Sequence, residues 1–163
     1  LNVRTKEEVI NNFNKMQGIM ASSLGVSVDQ LTDGIEIQEQ IVGGEEIMIG
    51  VKKEPNFGHL VLVGKGGIFT EIYKDFSTRI APFTLSEARD MLRETKVFEI
   101  MNGYRNLPQK DVGSVAEYLV RISQLVCDFP MISELDINPL LVLPKGNGSC
   151  AVDVKITLET DIT

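Results

Sequence analysis

Three polar side chains occupy alternate positions in a predicted strand near the end of the sequence. Glu134, Asp136 and Asn138 alternate there with apolar residues. Successive side chains of an extended strand point to opposite faces, so these three share one face. The next predicted strand, residues 150–155, carries Asp153. Carboxylate and amide oxygens on neighbouring strands are ligands that suit Mg²⁺.

The pairing of the two strands decides whether these oxygens meet. If the hairpin closes around residues 145–148, Leu140 lies opposite Asp153. Asp153 then shares a face with Asn138, at a diagonal Cα separation of roughly 7–8 Å. Both side chains can reach one cation at about 2.0–2.1 Å, which suits phosphoryl transfer, because Mg²⁺ takes its remaining ligands from water and phosphate. The same alternation also describes the solvated face of an edge hairpin, and the pattern alone leaves both interpretations open.

A second group of candidates lies on predicted strands earlier in the chain. The strand 36–41 can offer backbone N–H and C=O groups to an adenine edge, with Ile41 against the ring. Glu46 faces the same side as Met48 and Gly50, where a carboxylate can accept hydrogen bonds from ribose hydroxyls. An ordinary hairpin strand remains the alternative interpretation of 36–41.

Other polar residues carry weaker signals. The glycine-rich run 64–67 allows backbone N–H groups to approach phosphate, but glycine loops mostly just turn the chain. Lys65 within it is predicted to be solvated. His59 has no Ser or Cys partner in a recognisable motif and is interpreted as structural. Arg79 either binds phosphate or pairs with Asp75.

Composition excludes several classes of protein. The 163 residues are 43% hydrophobic and 24% charged, a balance that allows one packed domain. The net charge of −7 argues against a nucleic-acid surface. No apolar run approaches the roughly 20 residues that span a bilayer. Cys127 and Cys150 are isolated, which favours an intracellular, cytoplasmic protein without disulfides.

The predicted elements indicate an α+β fold. Strands and helices do not alternate strictly, so a mostly antiparallel sheet packed against helices is expected. Capping boxes begin at Thr5 and Thr84, and a Gly-Gly pair at 43–44 suggests a tight hairpin. The predicted helices are 5–24, 84–95 and 111–127, and the predicted strands are 34–42, 45–53, 59–63, 68–73, 132–143 and 149–158.

Several of these segments, in order, resemble one family. Residues 44–52 resemble a GxEhhhGhK strand, where h is an apolar residue, and residues 56–71 resemble an FG…GxGGIFxE segment. The match continues through 75–82, and 134–140 with 151–153 is similar to an ExDxNPL…hD metal hairpin. This ordered set resembles the C-terminal part of the ATP-grasp domain of ADP-forming acyl-CoA (acetyl-CoA) synthetases of the beta-subunit type, which are related to succinyl-CoA synthetase beta chains.

The resemblance implies an ATP-grasp C-terminal subdomain and an acid–thiol ligase activity. The implied chemistry is the formation or cleavage of an acyl-CoA thioester with ATP or ADP and Mg²⁺, through acyl phosphate and a phosphohistidine relay. Matched to the family's pattern, the metal ligands fall at Asn138 and Asp153, the adenine hinge at Gln38 and Ile41, the nucleotide-contacting carboxylate at Glu46, and a catalytic carboxylate near the phosphohistidine at Asp136.

The resemblance also implies missing parts. Residues 1–163 are expected to form a single partial ATP-grasp domain that is inactive alone. The upstream nucleotide-binding segment, with its phosphate-binding lysine and glycine loop, and the segment that carries a relay histidine are expected to be missing. His59 does not match that histidine. The expected partners are CoA-binding and ligase domains or an alpha subunit, with acyl-CoA or acyl phosphate as substrate and neither nucleic acid nor membrane. Two alternatives are a regulatory ATP-grasp domain fused to a protein-lysine acetyltransferase and a non-catalytic interaction module.

Overall fold

A computed structural model describes residues 2–31, 35–66 and 75–159. The chain forms two compact units, with the boundary between Val42 and Gly43.

The first unit contains one long helix, α1 (Lys6–Leu24). The hydroxyl of Thr5 accepts the backbone N–H of Glu8, and the Glu8 carboxylate accepts the backbone N–H of Thr5, so the predicted capping box is confirmed. Gly25 ends the helix in the left-handed region, at φ 68°. A single 3-10 turn follows at Val28–Gln30.

The second unit is built on an antiparallel sheet. Within the described residues the strand order is β3-β2-β1-β4, and both β5 and β6 pair with the outer edge of β4. All of these pairings are antiparallel. The strands are β1 (Glu45–Glu54), β2 (Gly58–Lys65), β3 (Phe76–Ile80), β4 (Ile132–Val142), β5 (Ser149–Ala151) and β6 (Val154–Leu158).

In the described part of the second unit, helices pack on one face of this sheet and none of that unit's helices covers the other face. They are α2 (Leu85–Arg93), α3 (Lys96–Met101), a 3-10 turn at Tyr104–Asn106, and α4 (Val112–Asp128). Alternate residues of β1, such as Ile47 and Ile49, are fully buried against helix residues such as Leu119 of α4. The predicted fold class, an α+β antiparallel sheet packed against helices, is confirmed.

One predicted hairpin is wrong. Residues 35–42 form no strand, and Gly34 lies outside the described residues. The Gly43-Gly44 pair therefore does not close a hairpin. The reason is that β1 has no free edge, because one edge pairs with β2 and the other with β4.

Two short elements were not predicted, and one predicted strand cannot be placed. The strand expected at 68–73 lies outside the described residues. Strand β3 and helix α3 are absent from the predicted elements. Helix α3 begins where the Asp75 carboxylate accepts the backbone N–H groups of Lys96 at 2.7 Å and Val97 at 2.9 Å. A helix cap supplied from about twenty residues away leaves no local sequence signal.

Glycine is required where β2 meets the start of β3. A Cβ atom at Gly64 would lie inside contact distance of the Asp75 carbonyl oxygen and 3.0 Å from the Cβ of Phe76. We expect Gly64→Ala to lower the free energy of unfolding by about 1–3 kcal/mol, the usual cost of overpacking. At Gly50 the nearest atom to such a Cβ is 3.9 Å away, on Leu62. Gly50→Ala is thus the matched control, and equal urea midpoints for the two variants would contradict this prediction.

Candidate functional site

The edge strand beside β4 is interrupted where the predicted metal ligands lie. Val152 and Asp153 separate β5 from β6, but their backbones remain bonded to β4. The N–H of Asn138 donates to the carbonyl oxygen of Asp153 at 3.2 Å, and the N–H of Val152 donates to the carbonyl oxygen of Pro139 at 3.1 Å. The backbone of Asp153 is therefore attached directly to that of Asn138.

The observed register differs by two residues from the predicted one. Leu140 pairs with Ala151, whereas the sequence placed it opposite Asp153. Asp153 is consequently level with Asn138 and not diagonal to it. Residues directly opposite in an antiparallel pair have Cβ atoms about 4.5–5.5 Å apart, closer than the predicted diagonal. This register favours a shared ligand, while the metal assignment itself stays a prediction.

Two further pairs of polar residues lie beside the Asn138–Asp153 pair along β4 and β6. Together the three pairs form a polar row. Asp136 pairs with Lys155, and Glu134 pairs with Thr157. The side chains of Asp136 and Lys155 are exposed on the face of the sheet that the helices leave open. The Asn138–Asp153 position is the next step in this row, one side-chain repeat of roughly 7 Å from Asp136.

A cleft of about 340 Å³ lies on this open face. The side formed by β1 and β2 is mostly apolar apart from Lys52, and the other side is mostly the polar row of β4 and β6. Its volume is at the lower end of the range for small-molecule sites. The residues that line it are Met48, Gly50, Val51, Lys52, Leu60, Leu62, Glu134, Leu135, Asp136, Lys155 and Thr157.

Glu46 lies at the start of β1 with an exposed side chain. Its neighbours Ile47 and Ile49 are fully buried, which confirms the predicted alternation along this strand. Glu46 pairs with Leu141 of β4, and its carbonyl oxygen accepts the N–H of Gly66 at 3.1 Å. The backbone of Glu46 therefore joins β4 to the end of the β2 segment, while its carboxylate faces solvent.

The two predicted adenine-hinge residues belong to the first unit. The side chain of Gln38 is exposed, and its amide donates to Oε1 of Glu36 at 2.8 Å. Ile41 is half-buried. They lie in an irregular segment and not in a strand, so their role toward adenine stays a prediction.

Two of the weaker candidates have protein partners. The ammonium group of Lys65 forms an ion pair with Glu45 and is half-buried, so Lys65 is not simply solvated as predicted. His59 is 6% exposed, and its Nε2 lies 2.8 Å from the carbonyl oxygen of Ile132. These contacts agree with the structural interpretation of His59.

Arg79 does not pair with Asp75, and its alternative role toward phosphate stays a prediction. Its guanidinium binds the Glu94 carboxylate, with Nη1 3.1 Å from Oε2, and the hydroxyl of Ser77 donates to the same oxygen at 2.5 Å. The hydrogen bond from Arg79 and then that from Ser77 hold the pKa of the Glu94 carboxyl below its ordinary value. Asp75 instead caps α3. Arg79 therefore fastens β3 to the end of α2.

The polar row brings the two predicted metal ligands, Asn138 and Asp153, to neighbouring positions. Among the described residues no cluster of three or more His, Cys, Asp or Glu side chains offers a metal site. The Asn138–Asp153 pair provides one amide and one carboxylate, and Mg²⁺ commonly uses only one or two protein carboxylates. In the same part of the chain, no helix has the length and apolar character needed to cross a membrane.

A sequence profile described as an ATP-grasp domain matches residues 1–158. The chain belongs to the ATP-grasp family. The predicted resemblance to an ATP-grasp domain therefore extends over residues 1–158 and does not depend on single motifs.

Curated relatives of this ATP-grasp chain are CoA ligases. It is 43% identical over 125 residues to the ADP-forming 4-hydroxybutyrate–CoA ligase of Nitrosopumilus maritimus, covering 77% of this chain and 18% of the relative. It is 36% identical over 160 residues to the beta subunit of the ADP-forming acetate–CoA ligase II of Pyrococcus furiosus, covering 98% of this chain and 66% of that subunit. The chain thus spans about a fifth of the first relative and about two thirds of the second.

A solved structure shares the fold. The dinucleotide forming acetyl-coenzyme A synthetase 1 of Ca. Korarchaeum cryptofilum superposes with a TM-score of 0.83 and 30% identity, covering 98% of this chain and 67% of that chain. That protein was solved with coenzyme A and Mg-AMPPCP, with its phosphohistidine segment pointing towards the nucleotide binding site. The predicted resemblance to the ATP-grasp domain of ADP-forming acetyl-CoA synthetases is confirmed.

Sequence reasoning did not recognise that a cleft forms here. Leu60 and Leu62 line it but were not singled out, and Lys155 was given a face but no role. Alternation along the strand does place Lys155 on the face of Asp153, which is the available signal. Identifying Asp136 as the partner of Lys155 also requires the register, which alternation does not supply.

Proposed function

We propose that this chain is the nucleotide- and Mg²⁺-binding part of a cytoplasmic ADP-forming acyl-CoA ligase. The observation that carries the proposal is the polar row beside the cleft, which ends at Asn138 and Asp153. It lies in an ATP-grasp chain whose named relatives are CoA ligases. The rest of the activity belongs to CoA-binding and ligase domains or to an alpha subunit, as the beta-subunit relative suggests.

The residues present fit a magnesium ion. Asn138 and Asp153 supply hard oxygen donors from adjacent strands whose backbones are bonded at 3.2 Å. When bound, Mg²⁺ neutralises phosphate charge during phosphoryl transfer. An amide paired with a carboxylate compensates one of the ion's two positive charges, and the remaining charge favours binding of the metal together with a nucleotide phosphate.

The other site residues bind and orient in this proposal. Gln38 and Ile41 hold the adenine, and Glu46 accepts hydrogen bonds from the ribose hydroxyls. Asp136 faces the phosphohistidine, where its carboxylate orients the imidazole for phosphoryl transfer. The exposure of Asp136 on the open sheet face leaves it accessible to such a segment.

The overall reaction balances as acyl-CoA, ADP and phosphate giving carboxylate, CoA and ATP, and it runs in either direction. Phosphate displaces CoA from the acyl group and forms an acyl phosphate. The phosphoryl group then passes to the histidine, which releases the carboxylate, and from the histidine to ADP. This chain takes part in the last transfer, where positioning and charge neutralisation provide most of the catalysis.

The test is an assay of the complete protein combined with its CoA-binding partner. We expect ATP to form from ADP, phosphate and acetyl-CoA or a related acyl-CoA, and the rate to fall to background when Mg²⁺ is chelated. The control omits the CoA-binding partner and should give no ATP. Stable assembly with that partner but no ATP formation with any acyl-CoA would instead indicate a non-catalytic interaction module.

A further inference from the structure

The carboxylate of Asp111 joins the start of α4 to the turn between β4 and β5. Its Oδ1 accepts the backbone N–H of Ser114 at 3.1 Å and so caps the helix. Its Oδ2 accepts the N–H of Gly146 at 2.9 Å and of Gly148 at 3.0 Å. One side chain therefore satisfies three backbone donors from two elements that are far apart in sequence.

Other contacts reinforce the same connection. The N–H of Asp111 donates to the carbonyl oxygen of Leu143 at 2.9 Å, and the N–H of Lys145 donates to that of Gln109 at 3.0 Å. Beyond the turn, the hydroxyls of Ser114 and Ser149 lie 2.5 Å apart. Hydrogen bonds on both sides of the turn thus connect it to the residues around the start of α4.

This turn sets the register of the strands that carry the predicted metal ligands. Its closing bond runs from the N–H of Leu143 to the carbonyl oxygen of Gly148 at 3.1 Å, and Val142 then pairs with Ser149. Continuing that register brings Asp153 level with Asn138. A slip of two residues would keep every side chain on its own face, so alternation does not oppose it. The contacts of Asp111 with Gly146 and Gly148 oppose it, because a slipped turn would lose both hydrogen bonds.

We propose that Asp111 is a positioning residue for the metal pair, by which we mean the two predicted metal ligands Asn138 and Asp153. It acts by holding the β4–β5 turn in the register that places Asp153 beside Asn138. This inference rests on the proposed function of that pair. Hydrogen bonds from the backbone N–H groups of Gly148 and then Ser114 hold the pKa of the Asp111 carboxyl below its usual range, so it remains an ionised acceptor at neutral pH.

Asp111→Asn keeps the size of the side chain but removes one acceptor oxygen. The amide nitrogen cannot accept the hydrogen bonds that Oδ2 now accepts from Gly146 and Gly148. We expect the affinity for Mn²⁺, measured by electron paramagnetic resonance in the complete protein with ADP, to fall roughly 10-fold. Losses of 10–100-fold are usual when groups that support metal ligands are removed.

The matched control removes the cap of another helix of the second unit, α2. Thr84 caps α2 through its hydroxyl, which accepts the N–H of Glu87 at 3.3 Å. Thr84→Val should lower the melting temperature as Asp111→Asn does, but leave Mn²⁺ affinity within about twofold of wild type, since a cap lost there is a stability effect alone. Equal loss of Mn²⁺ affinity in the two variants would overturn the positioning role.

Two further variants separate the possible failures. If Asp153→Ala binds Mn²⁺ as tightly as wild type, the proposed metal pair is wrong. If Asp153→Ala loses Mn²⁺ while Asp111→Asn keeps it, only the positioning role is overturned. Where Asp111→Asn does not fold, Asp111→Ser carries the test, because a serine hydroxyl can still cap α4 but is too short to accept the N–H groups of Gly146 and Gly148 as well. Unchanged Mn²⁺ affinity in that variant overturns the inference.

Discussion

Asp153→Ala is expected to reduce Mg²⁺-dependent phosphoryl transfer in the complete protein by roughly 10³-fold or more, to background. The variant removes the only carboxylate of the metal pair, and electrostatic groups aimed at developing charge are commonly worth 10²–10³-fold each. The fold should persist, because the Asp153 side chain is exposed and it is its backbone that bonds to Asn138. The measurement is kcat for ATP formation at saturating ADP over a range of Mg²⁺ concentrations.

A matched control for this variant is Asp128→Ala. Asp128 is also exposed, but it lies at the end of α4 and accepts a hydrogen bond from Gln124 at 2.8 Å. Its replacement should leave kcat near the wild-type value. Turnover by Asp153→Ala at the wild-type rate would remove the site assignment, whereas a lower urea midpoint for that variant would show that Asp153 is needed for folding.

Asp136→Asn is expected to slow transfer between the histidine and the nucleotide by roughly 10²–10³-fold. In the proposed site its carboxylate orients the phosphorylated imidazole, and an amide keeps the shape but loses the charge. The Kd for ADP should change little, because Asp136 does not contact the nucleotide in this account. Rapid-quench measurement of phosphohistidine decay on addition of ADP separates this step from binding.

Glu134→Gln provides the comparison for Asp136→Asn. Glu134 lies two residues earlier on β4, on the same face of the cleft, and pairs with Thr157 instead of Lys155. Its loss should slow the transfer by less than about 10-fold, since it lies farther from the metal pair. An equal or larger effect at Glu134 would move the reacting histidine along the cleft and contradict the role given to Asp136.

The helices and the faces of the strands were predictable because their signals are local. The capping boxes at Thr5 and Thr84 begin helices as expected, and the apolar periodicity of residues 111–127 corresponds to α4. Burial of Ile47 and Ile49 follows from simple alternation. In each of these cases the residues that determine the structure lie within one turn or one strand of each other.

The register of the β4 hairpin was not predictable for a specific physical reason. A shift of one residue would reverse the faces of Asn138 and Asp153 and is excluded by alternation, but a shift of two residues preserves both faces. The choice between these registers is made at the turn, through the contacts of Asp111 with Gly146 and Gly148. These contacts join residues about 35 positions apart, beyond the range of any local pattern.

The remaining errors also trace to partners distant in sequence. Residues 35–42 have a strand-like sequence, but β1 offers no free edge to pair with them. Arg79 binds Glu94 and does not pair with Asp75, and Lys65 binds Glu45 from the neighbouring strand and is not simply solvated. Distant charge partners of this kind become visible only when the fold is known.

The measurement that tests this account most directly is the structure of the complete protein with Mg²⁺ and ADP. We expect the amide oxygen of Asn138 and a carboxylate oxygen of Asp153 both to lie about 2.0–2.1 Å from the same ion, which also binds the nucleotide phosphates. An ion held by other residues, with either side chain turned to the helix-covered face of the sheet, would contradict it.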